Sequence, residues 1–296
     1  MKKISDEVHS GRLLVSDGAW GTLLHEKGLK SGECPESWNL IRPEDVLDIA
    51  RSYILAGADM IETNSFGGNR HKLKRYGYGD KTSEINEAAA QISRKAAGPM
   101  KYVLGSIGPT GIILMMGEIT SEELYEIFRE QATALEKGGA DAIIIETMSD
   151  LEEAVIAVKA AKENTRCEVI CTMTFEKTLN GEYKTMMGVS PSEIPLKLKA
   201  AGADIIGSNC GNGTKAMIEI TRELRTVTTD IPIIIHGNAG IPKYLKGQTV
   251  FQETPEETAS FVPDLIKAGA NIIGGCCGTT PEHIRKIAEK VRNQNT

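Results

Sequence analysis

A repeat of apolar and small residues appears four times along the chain. In each copy a helix-like segment ends near a glycine, an acidic or amide residue follows, and an apolar run begins. The copies start at Ala56, Gly138, Ala201 and Ala268. Glycine suits the left-handed conformation that ends many helices. Uninterrupted apolar runs are typical of strands that are buried on both faces of a parallel sheet.

The pattern predicts eight strands, four from the repeat and four between its copies. They are Leu13–Ser16, Met60–Asn64, Tyr102–Ser106, Ala142–Glu146, Val169–Thr174, Ile205–Cys210, Ile231–His236 and Ile272–Cys277. Helical patterns separate them at Pro43–Ala56, Ser83–Ala97, Ser121–Lys137, Asp150–Lys162, Ser192–Ala200, Lys215–Arg225, Pro255–Lys267 and Pro281–Arg292. This alternation predicts an α/β fold, a single (β/α)8 TIM-type barrel over residues 1–296, with an open doubly wound sheet as the alternative. Thr178–Ser190 and Asn238–Thr254 are expected to be loops on the active face.

Composition narrows the classes of function. The 296 residues carry a net charge of -6, which disfavours a nucleic-acid partner because such partners usually require a basic face. No apolar run reaches the ~18–20 residues of a membrane helix, and the N-terminus lacks the apolar stretch of a signal peptide. We therefore expect a cytoplasmic protein without a membrane partner. Its six cysteines are then reduced, and they serve as metal ligands, nucleophiles or core residues.

Active sites of such barrels lie at the carboxyl ends of the strands. The predicted ends carry Asp17, Glu62, Asn64, Glu146, Asn209, Cys210, Asn238, Cys276 and Cys277. Three thiolates can bind Zn²⁺ tetrahedrally and leave one position open, as in catalytic sites. Neighbouring residues of a regular strand face opposite sides, so Cys276 and Cys277 can share a metal only if the strand ends there. Gly274, Gly275 and Gly278 permit such a turn.

The alternative for these cysteines is a role as buried core thiols, which is also the interpretation of Cys167 and Cys171. If the three do bind zinc, the ion would hold a small thiol as its thiolate at neutral pH. Alkyl transfer to sulfur is the chemistry that follows. Glu146 could then bind the ammonium group of a thiol amino acid, and backbone N–H groups around Ser106–Gly108 could bind its carboxylate. The alternatives are a helix-capping role for Glu146 and a turn role for Asp17.

The segment Gly274–Ile284 resembles the C-terminal signature of the homocysteine S-methyltransferase family. Its likeness is strongest to the homocysteine-binding domain of cobalamin-dependent methionine synthases. Motifs at Asp17–Thr22, Asn39–Pro43, Glu62–Phe66, Gly105–Pro109, Asn209–Gly211 and Asn238–Pro242 match in the same order. Trp20 is a departure, because methionine synthases usually have methionine at that place.

The resemblance implies a zinc enzyme that methylates homocysteine to methionine after activating it as a zinc thiolate. It implies that Cys210, Cys276 and Cys277 are the catalytic zinc ligands and that Asn238 is a displaceable fourth ligand. The predicted substrate-binding residues are Asp17, Ala19, Trp20, Asn64, Ser106, Glu146 and Asn209. Among these, Glu146 and the Asp17–Gly21 loop would hold the ammonium group, and the Ser106 region would hold the carboxylate.

The methyl donor is open at this point. The sequence ends at Thr296 without a folate-binding or corrinoid-binding module, so we expect methylcobalamin to be presented by a separate corrinoid protein. Betaine or S-methylmethionine as a free donor is one alternative, and a non-catalytic homocysteine-binding module of a larger synthase is another. An aldolase-like barrel with a lysine Schiff base is disfavoured, because lysines occur only near loops and not at the predicted strand ends.

Overall fold

The computed structural model describes residues 1–112, 114–117, 119–245 and 248–294, so the end of the predicted domain and two residues of the predicted loop Asn238–Thr254 lie outside the described residues. Within the described ranges, eight parallel strands form one sheet. They are β1 (Leu14–Val15), β2 (Met60–Glu62), β3 (Tyr102–Ile107), β4 (Ala142–Met148), β5 (Glu168–Met173), β6 (Ile205–Gly213), β7 (Ile233–Asn238) and β8 (Ile272–Gly275). The flanking helices are α1 (Pro43–Ala56), α2 (Thr82–Ala97), α3 (Ser121–Gly138), α4 (Leu151–Asn164), α5 (Pro195–Ala201), α6 (Thr214–Arg225), α7 (Val262–Ala268) and α8 (Pro281–Arg292). The predicted TIM-type barrel is confirmed.

The fourfold repeat joins each even-numbered strand to the strand before it. The residues concerned are Asp59, Asp141, Asp204 and Asn271. Each donates its backbone N–H to a carbonyl of the preceding odd-numbered strand over 2.7–2.9 Å. Its side chain accepts the N–H of that same strand residue over 2.8–3.1 Å. The glycine two positions earlier has φ between 106° and 109° in all four copies, which confirms the predicted left-handed helix ends.

The barrel closes between β1 and β2, which lie at the two ends of the strand order. We call this closure the seam. At its amino end the Asp59 N–H donates to the Val15 carbonyl over 2.7 Å. At its carboxyl end Asp17 Oδ2 accepts the Glu62 N–H over 3.0 Å. A side-chain carboxylate therefore takes the place of a backbone acceptor directly below the mouth of the barrel.

A six-residue helix that the pattern did not predict, Ile4–His9, covers the amino-terminal end of the barrel. Ile4 and Val8 pack in one cluster with residues from the starts of the strands. Glu168, the first residue of β5, accepts the N–H of Ile4 over 2.5 Å and both the N–H and the hydroxyl of Ser5 over 3.1 and 2.5 Å. The carboxylate satisfies donors at the start of a helix, where they have no partner within the helix.

Two predicted helices differ from the structure because of proline. The prediction of one helix over Pro255–Lys267 is wrong: the chain forms Pro255–Ser260 and then α7. Pro263 lacks the N–H that a continuous helix would need and clashes with the preceding turn. The predicted helix Ser192–Ala200 likewise begins only at Pro195, after a 3-10 turn at Pro191–Glu193.

Several short elements complete the fold. The predicted loops contain hairpins, one formed by Glu176–Lys177 with Tyr183–Lys184 and one by Lys243–Leu245 with Gln248–Val250. The other elements are Trp20–Glu26, Pro35–Ser37, Trp38–Ile41, Arg70–Lys74, Gly79–Lys81 and Leu114–Met116. In the described part of the chain, no helix combines the length and apolar character needed to cross a bilayer.

Replacement of Glu168 by Gln should destabilise the fold by about 1–3 kcal/mol, because hydrogen bonds to a charged acceptor become bonds to a neutral amide. Urea unfolding followed by circular dichroism measures this change. Glu176→Gln is the matched control, since Glu176 is an exposed residue of a hairpin strand. Equal midpoints for the two variants would contradict the role given to Glu168.

Candidate metal and substrate site

Three of the six cysteines meet at the mouth of the barrel. Cys210 lies in β6, and Cys276 and Cys277 directly follow β8. Their sulfur atoms all lie within 4.8 Å of one another, and the Sγ atoms of Cys210 and Cys277 are 3.8 Å apart. We call these residues the cysteine triad. The other cysteines, Cys34, Cys167 and Cys171, are buried elsewhere.

The chain turns immediately after β8, which allows two consecutive cysteines to face one point. The Cys276 N–H still donates to the Gly237 carbonyl over 2.8 Å, and the Cys276 carbonyl then accepts the Thr279 N–H over 3.1 Å. Gly278 has φ of 79°, and a Cβ there would lie 2.2 Å from the Phe251 ring. The strand therefore ends before the pair, two residues earlier than the predicted end at Cys277, which meets the condition for a shared metal.

Gly274 and Gly275 have a different role from the predicted one, because they lie within β8 and not in the turn. A Cβ on Gly275 would lie 2.4 Å from Thr279 Oγ1. A Cβ on Gly274 would lie 2.8 Å from the Asp17 carbonyl oxygen. These glycines permit the close approach of neighbouring segments.

Cys210 has a left-handed backbone, with φ of 60°, and Thr147 on β4 has φ of 59°. Such conformations cost on the order of 1–3 kcal/mol for residues other than glycine, and they cluster at functional sites. The Asn209 side chain holds Thr147 in this conformation: its Nδ2 donates to Thr147 Oγ1 over 2.7 Å and its Oδ1 accepts the Thr147 N–H over 2.7 Å. The register of β6 against β7 shifts after Asn209, which re-aims Cys210.

The three thiols share negative charge. Hydrogen bonds from Cys276 and Cys277 lower the pKa of Cys210 far below that of a free thiol. The same bonds, together with burial, raise the pKa of Cys276 and of Cys277. The Asn238 side chain also stabilises the Cys210 thiolate, and its Oδ1 is buried without a hydrogen-bond partner among the described residues. Three thiolates and a nearby amide oxygen fit the tetrahedral preference of a zinc ion.

A cavity of about 430 Å³ opens over the cysteine triad. Of the predicted substrate-binding residues, the structure places Ala19, Trp20, Asn64, Ser106 and Glu146 on its wall. Asp17, Asn209 and Asn238 are buried and do not belong to the described lining. The sequence-predicted residues therefore divide into a lining set and a supporting set.

Glu146 presents a buried carboxylate to the cavity. Its Oε1 accepts the Ser106 hydroxyl over 2.5 Å, and its Oε2 accepts Asn209 Nδ2 over 3.1 Å. Burial raises the pKa of Glu146 to about 7. Asp150 caps the following helix α4 by accepting the Glu152 N–H over 2.8 Å, so helix capping does not account for Glu146.

Asp17 and the Ser106 region already have partners within the chain. Asp17 Oδ2 accepts Trp20 Nε1–H over 2.9 Å in addition to the Glu62 N–H. The Ser106 N–H donates to Thr63 Oγ1 over 2.9 Å, and the Gly108 N–H donates to the Phe66 carbonyl over 2.8 Å. Their predicted contacts with substrate stay predictions.

The family follows from comparison with known proteins. A family model described as homocysteine S-methyltransferase matches residues 14–291. This chain belongs to the homocysteine S-methyltransferase family. The resemblance inferred from the sequence motifs is thereby confirmed.

Two curated relatives of this family member are much longer proteins. Methionine synthase of Mycobacterium tuberculosis is 34% identical over 304 residues, which cover 97% of this chain and 25% of the relative. Methionine synthase of Mycobacterium leprae is 33% identical, with 98% and 25% covered. The chain thus spans about a quarter of the length of these relatives.

Solved structures share the fold of this family member. The metallated form of the homocysteine methyltransferase MmuM from Escherichia coli superposes with a TM-score of 0.79 at 21% identity, covering 96% of this chain and 98% of that one. Its apo form gives a TM-score of 0.73 at 22% identity, covering 96% and 97%.

Two residues of this family member, Glu62 and His236, line the cavity without having been assigned a role from the sequence. Glu62 lies near the carboxyl end of the predicted strand Met60–Asn64, and His236 is the last residue of the predicted strand Ile231–His236, which was the available signal. Glu62 Oε1 lies 3.5 Å from His236 Nδ1, beyond a good hydrogen bond. Burial lowers the pKa of His236 to about 4, so its ring is neutral at physiological pH.

Iodoacetamide should modify Cys210 of the cysteine triad first in chelator-treated, folded protein, because its pKa is lowered, and it should spare the three cysteines outside the triad. The triad is partly exposed, whereas Cys34, Cys167 and Cys171 are buried. Burial also raises the pKa of Cys34 and of Cys167 to about 12, which keeps them as unreactive thiols. Peptide mass spectrometry after a short reaction identifies the modified sites. Modification of Cys171 as fast as Cys210 would refute this division, and labelling in urea is the control for complete reaction.

Proposed function

We propose that this chain is a zinc-dependent methyltransferase that methylates homocysteine to methionine, with the methyl group presented by a separate methyl-corrinoid protein. The observation that carries the proposal is the convergence of three sulfur atoms within 4.8 Å beside a cavity of about 430 Å³. Family membership supports the transferase chemistry. The metallated state of MmuM supports a metal in a barrel of this fold.

Cys210, Cys276 and Cys277 would hold the zinc ion, with Asn238 Oδ1 as a displaceable fourth ligand. The unpartnered, buried Oδ1 supports this assignment, because a buried acceptor without a donor is costly. When bound, zinc lowers the pKa of a substrate thiol so that its sulfur is a thiolate at neutral pH.

The side chains of the cavity would orient the substrate. Glu146 would accept hydrogen bonds from the ammonium group, and Ser106 and Asn209 hold this carboxylate in place through its two oxygens. Trp20 covers one wall and is held by its indole N–H on Asp17. Such fixed orientation matters because methyl transfer requires the sulfur, the carbon and the leaving group to lie in line.

A large donor suits the surface around the mouth better than a small one does. The segments predicted as loops, Thr178–Ser190 and Asn238–Thr254, expose apolar side chains. The exposed fractions are 107% for Leu179, 81% for Met186, 68% for Ile241 and 77% for Tyr244. Contiguous apolar patches mark interaction surfaces, and we expect these side chains to contact a donor protein docked over the mouth. Four aromatic residues could cage betaine, but they do not gather into one cage. Trp20 lines the cavity and Phe251 lies against Gly278 beside the cysteine triad, whereas Tyr183 is buried and Tyr244 is exposed.

A homocysteine-binding module of a larger synthase is the second candidate. The curated relatives favour it, because their matched region is 25% of each protein. The two candidate functions can be distinguished by one activity. A methyltransferase forms methionine when this chain alone is supplied with homocysteine and a methylated corrinoid protein, whereas a binding module does not.

Cys276→Ala should remove most of the zinc and most of the methionine formation, because two thiolates cannot complete the site. Zinc content by mass spectrometry should be about one ion per wild-type chain. Cys167→Ala is the control, since Cys167 is buried away from the triad and should retain zinc. Full zinc retention in Cys276→Ala would overturn the three-ligand assignment.

Homocysteine should be methylated faster by a methylated corrinoid protein than by free methylcobalamin, by on the order of 100-fold or more, because docking fixes the reacting atoms. Leu179→Ser should slow only the reaction with the corrinoid protein. Leu55→Ser is the matched control, because Leu55 is 86% exposed on α1. Comparable rates with betaine or S-methylmethionine would identify a small donor, and absence of turnover with every donor would favour the binding module.

A further inference from the structure

Glu62 is a buried acid to which the proposed function assigns no role. It is the last residue of β2, it is 7% exposed, and its side chain lines the cavity over the cysteine triad. Its Oε1 is buried and accepts no hydrogen bond from any residue the structure describes. A buried polar atom without a partner costs about 1–3 kcal/mol, and more when it is charged. Such an atom facing a cavity indicates that a ligand supplies the donor.

The neighbouring acids Asp17 and Glu146 have no carboxylate oxygen that lacks a hydrogen-bond donor. Asp17 is committed to the seam, where Oδ2 accepts two N–H groups and Oδ1 accepts the Ser16 hydroxyl over 3.2 Å. Glu146 has a protein donor on each oxygen. Glu62 is therefore the acid of this group with the most capacity to accept a further hydrogen bond.

The charge of the cavity determines which ligand group fits. Burial, the charges of Glu146 and Asp17, and a hydrogen bond that the protonated Glu62 carboxyl group donates to Glu146 raise the pKa of Glu62 well above that of a free carboxyl group. Neither lysine nor arginine lines this cavity among the described residues, and His236 stays neutral. An ammonium ion would compensate the carboxylates and provide three hydrogen-bond donors.

We propose that Glu62 is a further specificity-determining residue, whose Oε1 accepts a hydrogen bond from the ammonium group of an α-amino thiol substrate beside Glu146. The inference rests on the proposed function, since it takes homocysteine as the substrate. It assigns amino-group recognition to a second cavity-lining acid and leaves Asp17 as the residue that closes the barrel. The neutral His236 ring lies beside this carboxylate, with Nδ1 3.5 Å from Glu62 Oε1, and Gly274 leaves room for the ring: a Cβ there would be 2.9 Å from His236 Cδ2.

The test compares two ligands that differ only in the amino group, L-homocysteine and 4-mercaptobutanoate. Calorimetry on zinc-loaded protein gives the ratio of their dissociation constants, which measures the preference for the ammonium group. Glu62→Gln should reduce this preference by roughly 10- to 150-fold, the value of one charged hydrogen bond. A purely structural role would weaken both ligands equally and leave the ratio unchanged.

Glu36→Gln is the matched control. Glu36 is a third buried acid that lines the cavity, but its Oε1 accepts the Gly67 N–H over 2.6 Å and its Oε2 accepts the Cys34 thiol over 3.3 Å. Its replacement should keep the ligand ratio. Glu146→Gln should reduce the ratio, because its carboxylate binds the same ammonium group.

The outcomes separate this inference from the proposed function. If Glu62→Gln binds homocysteine with the wild-type preference, the inference is overturned and the proposed function stands. If zinc-loaded wild-type protein binds no homocysteine, the proposed function itself fails. If Glu62→Gln loses zinc or does not fold, Glu62→Asp replaces it, since it keeps the charge and withdraws it by one methylene. A reduced preference in that variant supports the inference, and a full preference overturns it.

Discussion

The carboxylate of Asp17 is the contact on which the mouth of this barrel depends. It lies at the seam, where β1 and β2 meet without a regular ladder, and it accepts the Glu62 N–H and the Trp20 indole. Its backbone carbonyl accepts the Gly275 N–H over 2.8 Å. One buried residue thus sets the position of an acid, an aromatic wall and the strand that leads into two of the cysteines. Burial raises the pKa of Asp17 to about 6, while these hydrogen bonds favour its charged form.

The electrostatics of the mouth follow from this arrangement. Three thiols at one side and the carboxyl groups of Glu62 and Glu146 at another are buried together, and the described lining offers no basic side chain. Groups of like charge in a low-dielectric site cannot all ionise unless cations enter. A zinc ion at the sulfur atoms and an ammonium group at the carboxylates would neutralise the two regions separately. The same cavity would then recognise both ends of a single amino thiol.

The strands were predictable because parallel strands buried on both faces have continuous apolar runs, and the structure places all eight predicted strands within a few residues. The cysteine triad was predictable because strand ends converge in a barrel. The helix Ile4–His9 was not, since six residues are too few to show a helical period. The partners of Asp17 were not either, because its acceptor role depends on Glu62, 45 positions away in the chain. A strand-end position alone does not distinguish an acid that supports the fold from an acid that faces the ligand.

The repeated Asp or Asn contact also divides the barrel into equivalent parts. Each even-numbered strand carries the same pair of hydrogen bonds to the strand before it, at the end remote from the cysteines. The smallest repeating unit is therefore a strand–helix–strand unit whose two strands are joined by these two hydrogen bonds. Two such units make half a barrel. A cut in the chain between two of these units leaves all of these hydrogen bonds intact, whereas a cut within a unit breaks one pair of them. Half-barrels exchanged between homologous chains at a cut between two units would keep their scaffold and bring new loops to the opposite rim.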